Sequence, residues 1–425
     1  MKILLKNAKI ITFKDKDVIN GDILIEGNRI KKIAKNIKVK ADKIIDCDGN
    51  ILMPGIKNAH THSGMTFLRS YADDLSLENW LYNSVFPLEA HLTSDDVYHL
   101  TKLAFTECLT SGVTACFDMY FFPRAIQKAS LDIGMRTLIL GIPHEDRGDA
   151  PEIGNMLDES KDKNLLSRFA LGFHAVYTSK DKQLKEIARL SKQYKAPVYM
   201  HCSETKVEVD NCLKEHKMTP TMYFNKYHLF DYGGGIYHGV HLNDKDIALL
   251  KRKKVYVATC PCSNLKLASG IAPIKKMYQK GIKIAIGTDG PASNNGLDMF
   301  REIYLTSVLS KYRENDPASI DAYEILKMAC VNGAHMMQMD DADSLAVNKF
   351  ADIVMIDIHK PDMQPINNII KNIVYSGNKL DVKMTMIDGK ILYYDNKFYL
   401  KDKIEDIYKN AAMSTARLKK YKNKK

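Results

Sequence analysis

The chain has 425 residues, 45% hydrophobic and 27% charged, enough for one large globular domain with an appendage. No window approaches about 18 uninterrupted apolar residues, and MKILLKNAKIITF is too short an apolar run for a secretory leader, so a cytoplasmic protein without a membrane span is expected. The net charge of +11 raises a nucleic-acid role, but the lysines are spread along the chain, dense only at 251–254 and 419–425, with no helix-turn-helix, zinc-finger or RNA-recognition signature; a solvated basic surface and no nucleic-acid partner are expected.

In chain order, residues 1–50 carry a hairpin signal, DILIEGNRIKKI, with Gly27-Asn28 as its turn. The apolar run 51–59 then reads as a strand ending in His60-Thr61-His62. Strand side chains alternate, so both imidazoles point one way and can converge on one cation; two surface histidines at a strand end account for the motif equally well. After a long insertion at 63–93, the β-branched runs 112–120, 136–142, 168–176, 196–202, 236–242, 254–260 and 283–289 follow, separated by amphipathic helical patterns. Thr93-Ser94-Asp95-Asp96 and Thr178-Ser179-Lys180-Asp181 read as helix-start capping boxes, and Gly281 as a helix end.

With 51–59 these runs make eight strands alternating with helices, the pattern of an α/β fold of the (β/α)8 TIM-barrel type. Residues 351–400 differ, with strands punctuated by Asp388-Gly389 and Asp395-Asn396. The expected division is a small composite β-sandwich domain from 1–52 plus 346–400, a barrel over 53–345, and a basic C-terminal helix or tail over 401–425. The eight cysteines are scattered as reduced thiols; Cys260-Pro261-Cys262 is the sole close pair, and a zinc ribbon would need two knuckles.

Barrel chemistry gathers at the C-terminal ends of the strands. Those ends hold His60, His62, His174, His201, Glu204, His238, His241 and Asp289, too many titratable groups at one end for unrelated core positions. A metal site is expected there. His241 is assigned no role.

At this point PGIKNAHTH, HCSET, HGVHL and GTDGPASNN together resemble the amidohydrolase superfamily, a likeness that runs through almost the whole chain. DLSLENWLYNSVFPLEAHLT (74–93) and CPCSNLKLASGIAPI (260–274) are similar to its branch that deaminates methylthioadenosine and S-adenosylhomocysteine. The resemblance implies His60, His62, His201 and Asp289 as ligands of one divalent ion, Zn2+ first with Fe2+ or Mn2+ as alternatives. It implies Glu204 as proton shuttle, His238 and Asp289 as catalytic partners, and Glu89 and His174 in substrate binding, Glu89 on the ribose hydroxyls. Members with two metals bridge them by a carboxylated lysine at the end of strand four, where RFALGFHAV has none, so one ion is expected. The expected activity is hydrolytic deamination of adenine nucleosides by a homo-oligomer, dimer or tetramer. The rivals are guanine or cytosine deaminases, triazine-type chlorohydrolases and, from another class, a metal-free barrel scaffold. Trp80 either packs the 63–93 insertion or lines the adenine pocket. Arg147, in GIPHEDRGDAPEIG, stands among Glu145, Asp146, Asp149 and Glu152, a poor site for a substrate carboxylate. 5′-Deoxyadenosine is therefore expected to be preferred over methylthioadenosine, adenosine and S-adenosylhomocysteine.

Overall fold

The computed structural model describes residues 1–75, 77–143 and 149–421. The first part of the chain forms β1 (Lys2–Ile11), β2 (Val18–Glu26), β3 (Arg29–Ala34), β4 (Lys43–Asp46) and β5 (Ile51–Pro54). Gly27 at φ +65° and Asn28 close the β2–β3 hairpin between Glu26 and Arg29, the positive φ that such a turn requires.

The run 51–59, which reads as one strand, is two. β5 pairs with β1, whereas β6 (Ile56–Thr61) opens a second sheet. Gly55 is the pivot: its N–H donates to Asp352 O at 3.0 Å, and the next N–H, of Ile56, donates to Gly112 O at 3.0 Å, in the barrel. A Cβ on Gly55 would lie 2.0 Å from Thr114 Cγ2, so only glycine lets the two layers approach this closely. Apolar periodicity carries no information about such a change of sheet.

β6 is followed by β7 (Val113–Asp118), β8 (Arg136–Gly141), β9 (Ser167–Gly172), β10 (Val198–Cys202), β11 (Gly234–His238), β12 (Val255–Thr259) and β13 (Ile284–Ile286), paired in sequence order and all parallel. They form a nearly closed eight-stranded barrel. At the seam between β13 and β6, Asp289 N donates to His60 O at 3.0 Å. The Asn58 side chain completes it, donating to Thr288 Oγ1 at 2.8 Å and accepting from Thr288 N at 2.9 Å. Closure thus sets His60 and Asp289 side by side.

β14 (Ile353–Ile356), β15 (Val382–Ile387), β16 (Lys390–Tyr394) and β17 (Lys397–Phe398) return to the first sheet, making it nine-stranded and mixed, in the order β17-β16-β15-β14-β5-β1-β2-β3 with β4 also on β1. Asp388-Gly389 and Asp395-Asn396 close its C-terminal hairpins with positive φ throughout. A buried ion pair ties this sheet to the barrel: Arg136 of β8 donates to Asp352 at 2.6 and 3.1 Å.

Thr93 caps the helix Ser94–Thr110 in a true capping box with Asp96. The second expected box is absent. Lys180 occupies the N-cap of the helix Asp181–Tyr194 without a side-chain bond, and the Thr178 hydroxyl instead meets His174 Nδ1 at 2.9 Å. Gly281, at φ +76°, follows the helix Ile274–Gln279 as expected. The C-terminal helix Ile404–Lys419 buries Ile407, Ala411, Ser414 and Leu418 and packs against Ser94–Thr110. Among the described residues no helix is long and apolar enough to cross a membrane.

Candidate active site

The eight strand ends open into a cavity of about 520 Å3 lined by His62, Glu89, His174, His201, Glu204, His238 and Asp289, with Trp80, Met65 and Phe86 among its apolar walls. At its floor the ligand atoms of His60, His201, His238 and Asp289 all lie within 4.8 Å of one another. His62 belongs to the same cluster, its Nε2 3.1 Å from Asp289 Oδ1; His60 Nε2 is 3.4 Å from that oxygen. The structure therefore brings together all four expected ligands and sets His238 beside them.

The chain leaves its strands abruptly here. Ser203 at φ +54°, His238 at φ +68° and Asp289 at φ +61° adopt left-handed backbone that costs non-glycine residues about 1–2 kcal/mol each. The His238 and Asp289 side chains line the barrel mouth from these turns, and strain of this kind clusters at functional sites.

Hydrogen bonds set the imidazole tautomers. His62 Nδ1 donates to Met119 O, and His201 Nδ1 donates to His174 O at 2.8 Å, leaving a lone pair on each Nε2. These lone pairs point at other acceptors: His201 Nε2 is 3.1 Å from His60 Nε2, and His62 Nε2 faces the Asp289 carboxylate. Acceptors this close need a proton or a cation between them. Burial works to raise the Asp289 pKa, yet His60 and His62 hold it well below the usual carboxylate range. Burial opposes charge on His62, but Asp289 outweighs it and lifts that pKa. Burial pushes His60 down to about 3 and His201 well below the usual imidazole range, so both are neutral, as ligation requires of an imidazole; His174, on the substrate side, is pushed down to about 4. Three buried imidazoles and one carboxylate suit a zinc-like divalent ion with an open position.

The other Asp289 oxygen, Oδ2, accepts from the Ser263 and Ser293 hydroxyls, both at 2.6 Å. His238 Nδ1 is 2.7 Å from Asn264 Oδ1, and its Nε2 is 3.8 Å from Glu204 Oε2. Burial raises the Glu204 pKa. Glu204 N and Ser203 N donate to the buried Glu208 carboxylate at 2.7 and 3.0 Å, which pins the turn that presents Glu204. Glu89, on the short helix Phe86–Glu89, is pushed up to about 7 by burial, opposed by a 2.6 Å hydrogen bond from the Tyr120 hydroxyl. Trp80 is buried and lines the same cavity. His241 Nε2 donates to Ser269 O, 2.8 Å away, a loop contact. Arg147, with Glu145 and Asp146, lies outside the described residues.

Sequence reasoning did not single out Tyr120, Ser263, Asn264, Ser293 or Glu208. Ser293 stands four residues after Asp289 in GTDGPASNN, and Ser263 and Asn264 sit in CPCSNLK, so membership of motifs already noted was the available signal. Tyr120 and Glu208 gave none, because their partners lie on other elements or behind a turn.

A model of the amidohydrolase family matches residues 51–392. A curated 5-methylthioadenosine/S-adenosylhomocysteine deaminase of Caldanaerobacter subterraneus subsp. tengcongensis is 38% identical, over 96% of either chain. A protein of the same name from Thermococcus onnurineus is also 38% identical, over 94% of this chain and 96% of its own. A crystal structure of an adenosine deaminase from Xanthomonas campestris with bound zinc superposes with a TM-score of 0.92 at 28% identity, covering 98% of each chain. With a family match over most of its length and a relative of this identity along nearly all of it, the chain belongs to the amidohydrolase family, a family of hydrolytic enzymes.

Proposed function

We propose that the chain hydrolyses adenine nucleosides to their inosine analogues with release of ammonia, using one divalent ion, zinc foremost. The observation that carries this reading is the presence in one cavity of two distinct constellations: the imidazole–carboxylate cluster with Glu204, and the buried Glu89–Tyr120 pair. The first suits hydrolysis and the second suits recognition of a polyol such as ribose. The names of the relatives, deaminases of methylthioadenosine, S-adenosylhomocysteine and adenosine, support the same substrate class.

His60, His62, His201 and Asp289 would hold the ion, which supplies Lewis acidity that makes a water available as nucleophile near neutral pH. Glu204 takes a proton from the attacking water and passes it to the purine ring nitrogen next to the carbon bearing the amino group. Its raised pKa suits a group that must both accept and give a proton. His238, facing Glu204, stabilises the oxygen that develops charge on that carbon. Asp289 then receives the remaining proton of the attacking water and hands it to the departing amine. Glu89 accepts from the ribose hydroxyls, with Tyr120 holding one of its oxygens, and His174 lines the substrate side.

Guanine and cytosine deaminases and triazine-type hydrolases would have no use for Glu89, since their substrates lack ribose. At the outer end of the cavity the Arg124 guanidinium is paired with Glu159 at 2.7 and 2.9 Å and with Glu152 at 3.0 Å. Its charge is thus compensated, which favours small uncharged 5′ groups, 5′-deoxyadenosine first, over the carboxylate of S-adenosylhomocysteine. Eight free cysteines support action in a reducing cytoplasm. The test is a panel of 5′-deoxyadenosine, methylthioadenosine, adenosine, S-adenosylhomocysteine and free adenine, followed by ammonia release. Highest kcat/KM on 5′-deoxyadenosine is expected. Preference for S-adenosylhomocysteine would overturn the ranking, and turnover of free bases alone would overturn the nucleoside reading.

A further inference from the structure

Glu89 ends a helical run, Leu77–Trp80, Leu81–Val85 and Phe86–Glu89, whose middle stretch is π-helical, so the carboxylate sits at the frayed C-terminal end of an irregular helix. The turn that follows is closed by Ala90 N on Phe86 O at 3.0 Å, His91 N on Leu88 O at 3.1 Å and Leu92 N on Glu89 O at 3.1 Å. The carbonyl of His91 in this turn is taken by a residue from the far end of the chain: Arg417 Nη2 donates to His91 O at 2.7 Å. The same guanidinium grips Asp96, with Nε 3.1 Å from Oδ1 and Nη2 on Oδ2. Asp96 is the capping-box residue of the helix Ser94–Thr110. One turn further along, the Tyr421 ring stacks on the His91 ring, centroids 3.8 Å apart and planes within 12°. Two planar side chains of the C-terminal helix and its end thus bracket the turn that carries Glu89 and lock it to the cap of the next helix.

We infer that the C-terminal helix is part of the nucleoside-recognition apparatus, with Arg417 and Tyr421 as positioning residues that hold Glu89 against the ribose hydroxyls. The inference rests on the reading of Glu89 given above. The barrel and the metal cluster do not need this contact: His60, His62, His201 and Asp289 are fixed by strand ends and by the seam. Loosening the clamp therefore acts on recognition of the sugar, selectively, and leaves the chemical step in place.

The experiment compares adenosine with 2′,3′-dideoxyadenosine, which lacks both ribose hydroxyls, in the metal-loaded full-length enzyme. Arg417→Ala is expected to lower kcat/KM for adenosine about tenfold, mostly through KM, because a small displacement of a positioning group is felt strongly at the substrate. The dideoxy substrate should change less than about twofold, since it makes no contact that the clamp protects. Arg417→Lys, which keeps the charge and one donor but loses the fork, should fall between and carries the test where the alanine variant does not fold. Equal losses on both substrates would reduce Arg417 to general scaffolding and overturn the inference, as would no loss on either. Glu89→Ala run in parallel separates the two layers of the argument. If Glu89→Ala lowers kcat/KM equally on both nucleosides, the assignment of Glu89 falls and the clamp with it; if Glu89→Ala loses selectively on adenosine while Arg417→Ala does not, only the clamp falls.

Discussion

Replacing Tyr120 by phenylalanine removes one hydroxyl from a buried pair and leaves the ring in place. That hydroxyl donates to Glu89 at 2.6 Å, and burial has already pushed the Glu89 carboxyl up to about 7. The bond favours the ionised form, so its loss must raise the pKa further. A hydrogen bond to a charged group is worth about 1.5–3 kcal/mol, and a pKa unit about 1.4 kcal/mol, so the rise should be about one to two units. Near pH 7 the ionised fraction of Glu89 would then drop from near half to below about a tenth. Since kcat/KM reports titration in the free enzyme, its acid limb on adenosine should move to higher pH by at least about one unit. Activity lost at pH 7 should return as pH rises. The assay is a pH profile of kcat/KM for adenosine and for 2′,3′-dideoxyadenosine in wild type and Tyr120→Phe. An acid limb that stays in place on adenosine, or moves equally on both substrates, would refute the coupling of Tyr120 to Glu89.

Glu204→Gln keeps size and hydrogen bonding but cannot carry a proton; kcat should fall at least about 10²-fold while metal content and nucleoside binding persist, and a variant retaining a tenth of wild-type kcat would remove Glu204 as the shuttle. Gly64→Ala would set a Cβ 2.3 Å from Tyr120 Cδ1, so it should cost about 1–3 kcal/mol in denaturant unfolding and raise KM for ribosides more than for free adenine. Asp352→Ala leaves the buried Arg136 guanidinium with Asp388, 3.2 Å away, as its remaining carboxylate between the barrel and the mixed sheet; a loss of about 2–4 kcal/mol of stability is expected, below the full penalty for an unpaired buried charge, with kcat unchanged in the protein that folds.

The sequence carried the barrel because eight β-branched runs alternate with helical patterns, a signal that survives errors of several residues at each strand end. It also pointed to the cluster of titratable residues at the barrel mouth, because strand-end position is readable from period and turn chemistry; their expected roles as ligands came from the family resemblance. The switch of sheets at Gly55 was hidden inside one apolar run, since both layers want buried residues there. Thr178 looked like a cap, yet its hydroxyl serves His174, a competition that side-chain geometry decides. Residues that tune the site from elsewhere left no trace in spacing: Tyr120 on Glu89, and Arg417, which joins Asp96 across 321 positions of sequence. Contacts of that range are made by the fold and become visible only with it.

The central claim is that one divalent ion in the His60/His62/His201/Asp289 cluster enables deamination of adenine nucleosides. It is tested most directly by stripping the enzyme with chelator and titrating zinc back while following ammonia release from 5′-deoxyadenosine and bound metal in the same samples. Activity should be absent in the stripped enzyme, rise in proportion to bound zinc, and stop rising at one equivalent per chain. Full deamination by metal-free enzyme, or a rise that continues to two equivalents, would contradict the account.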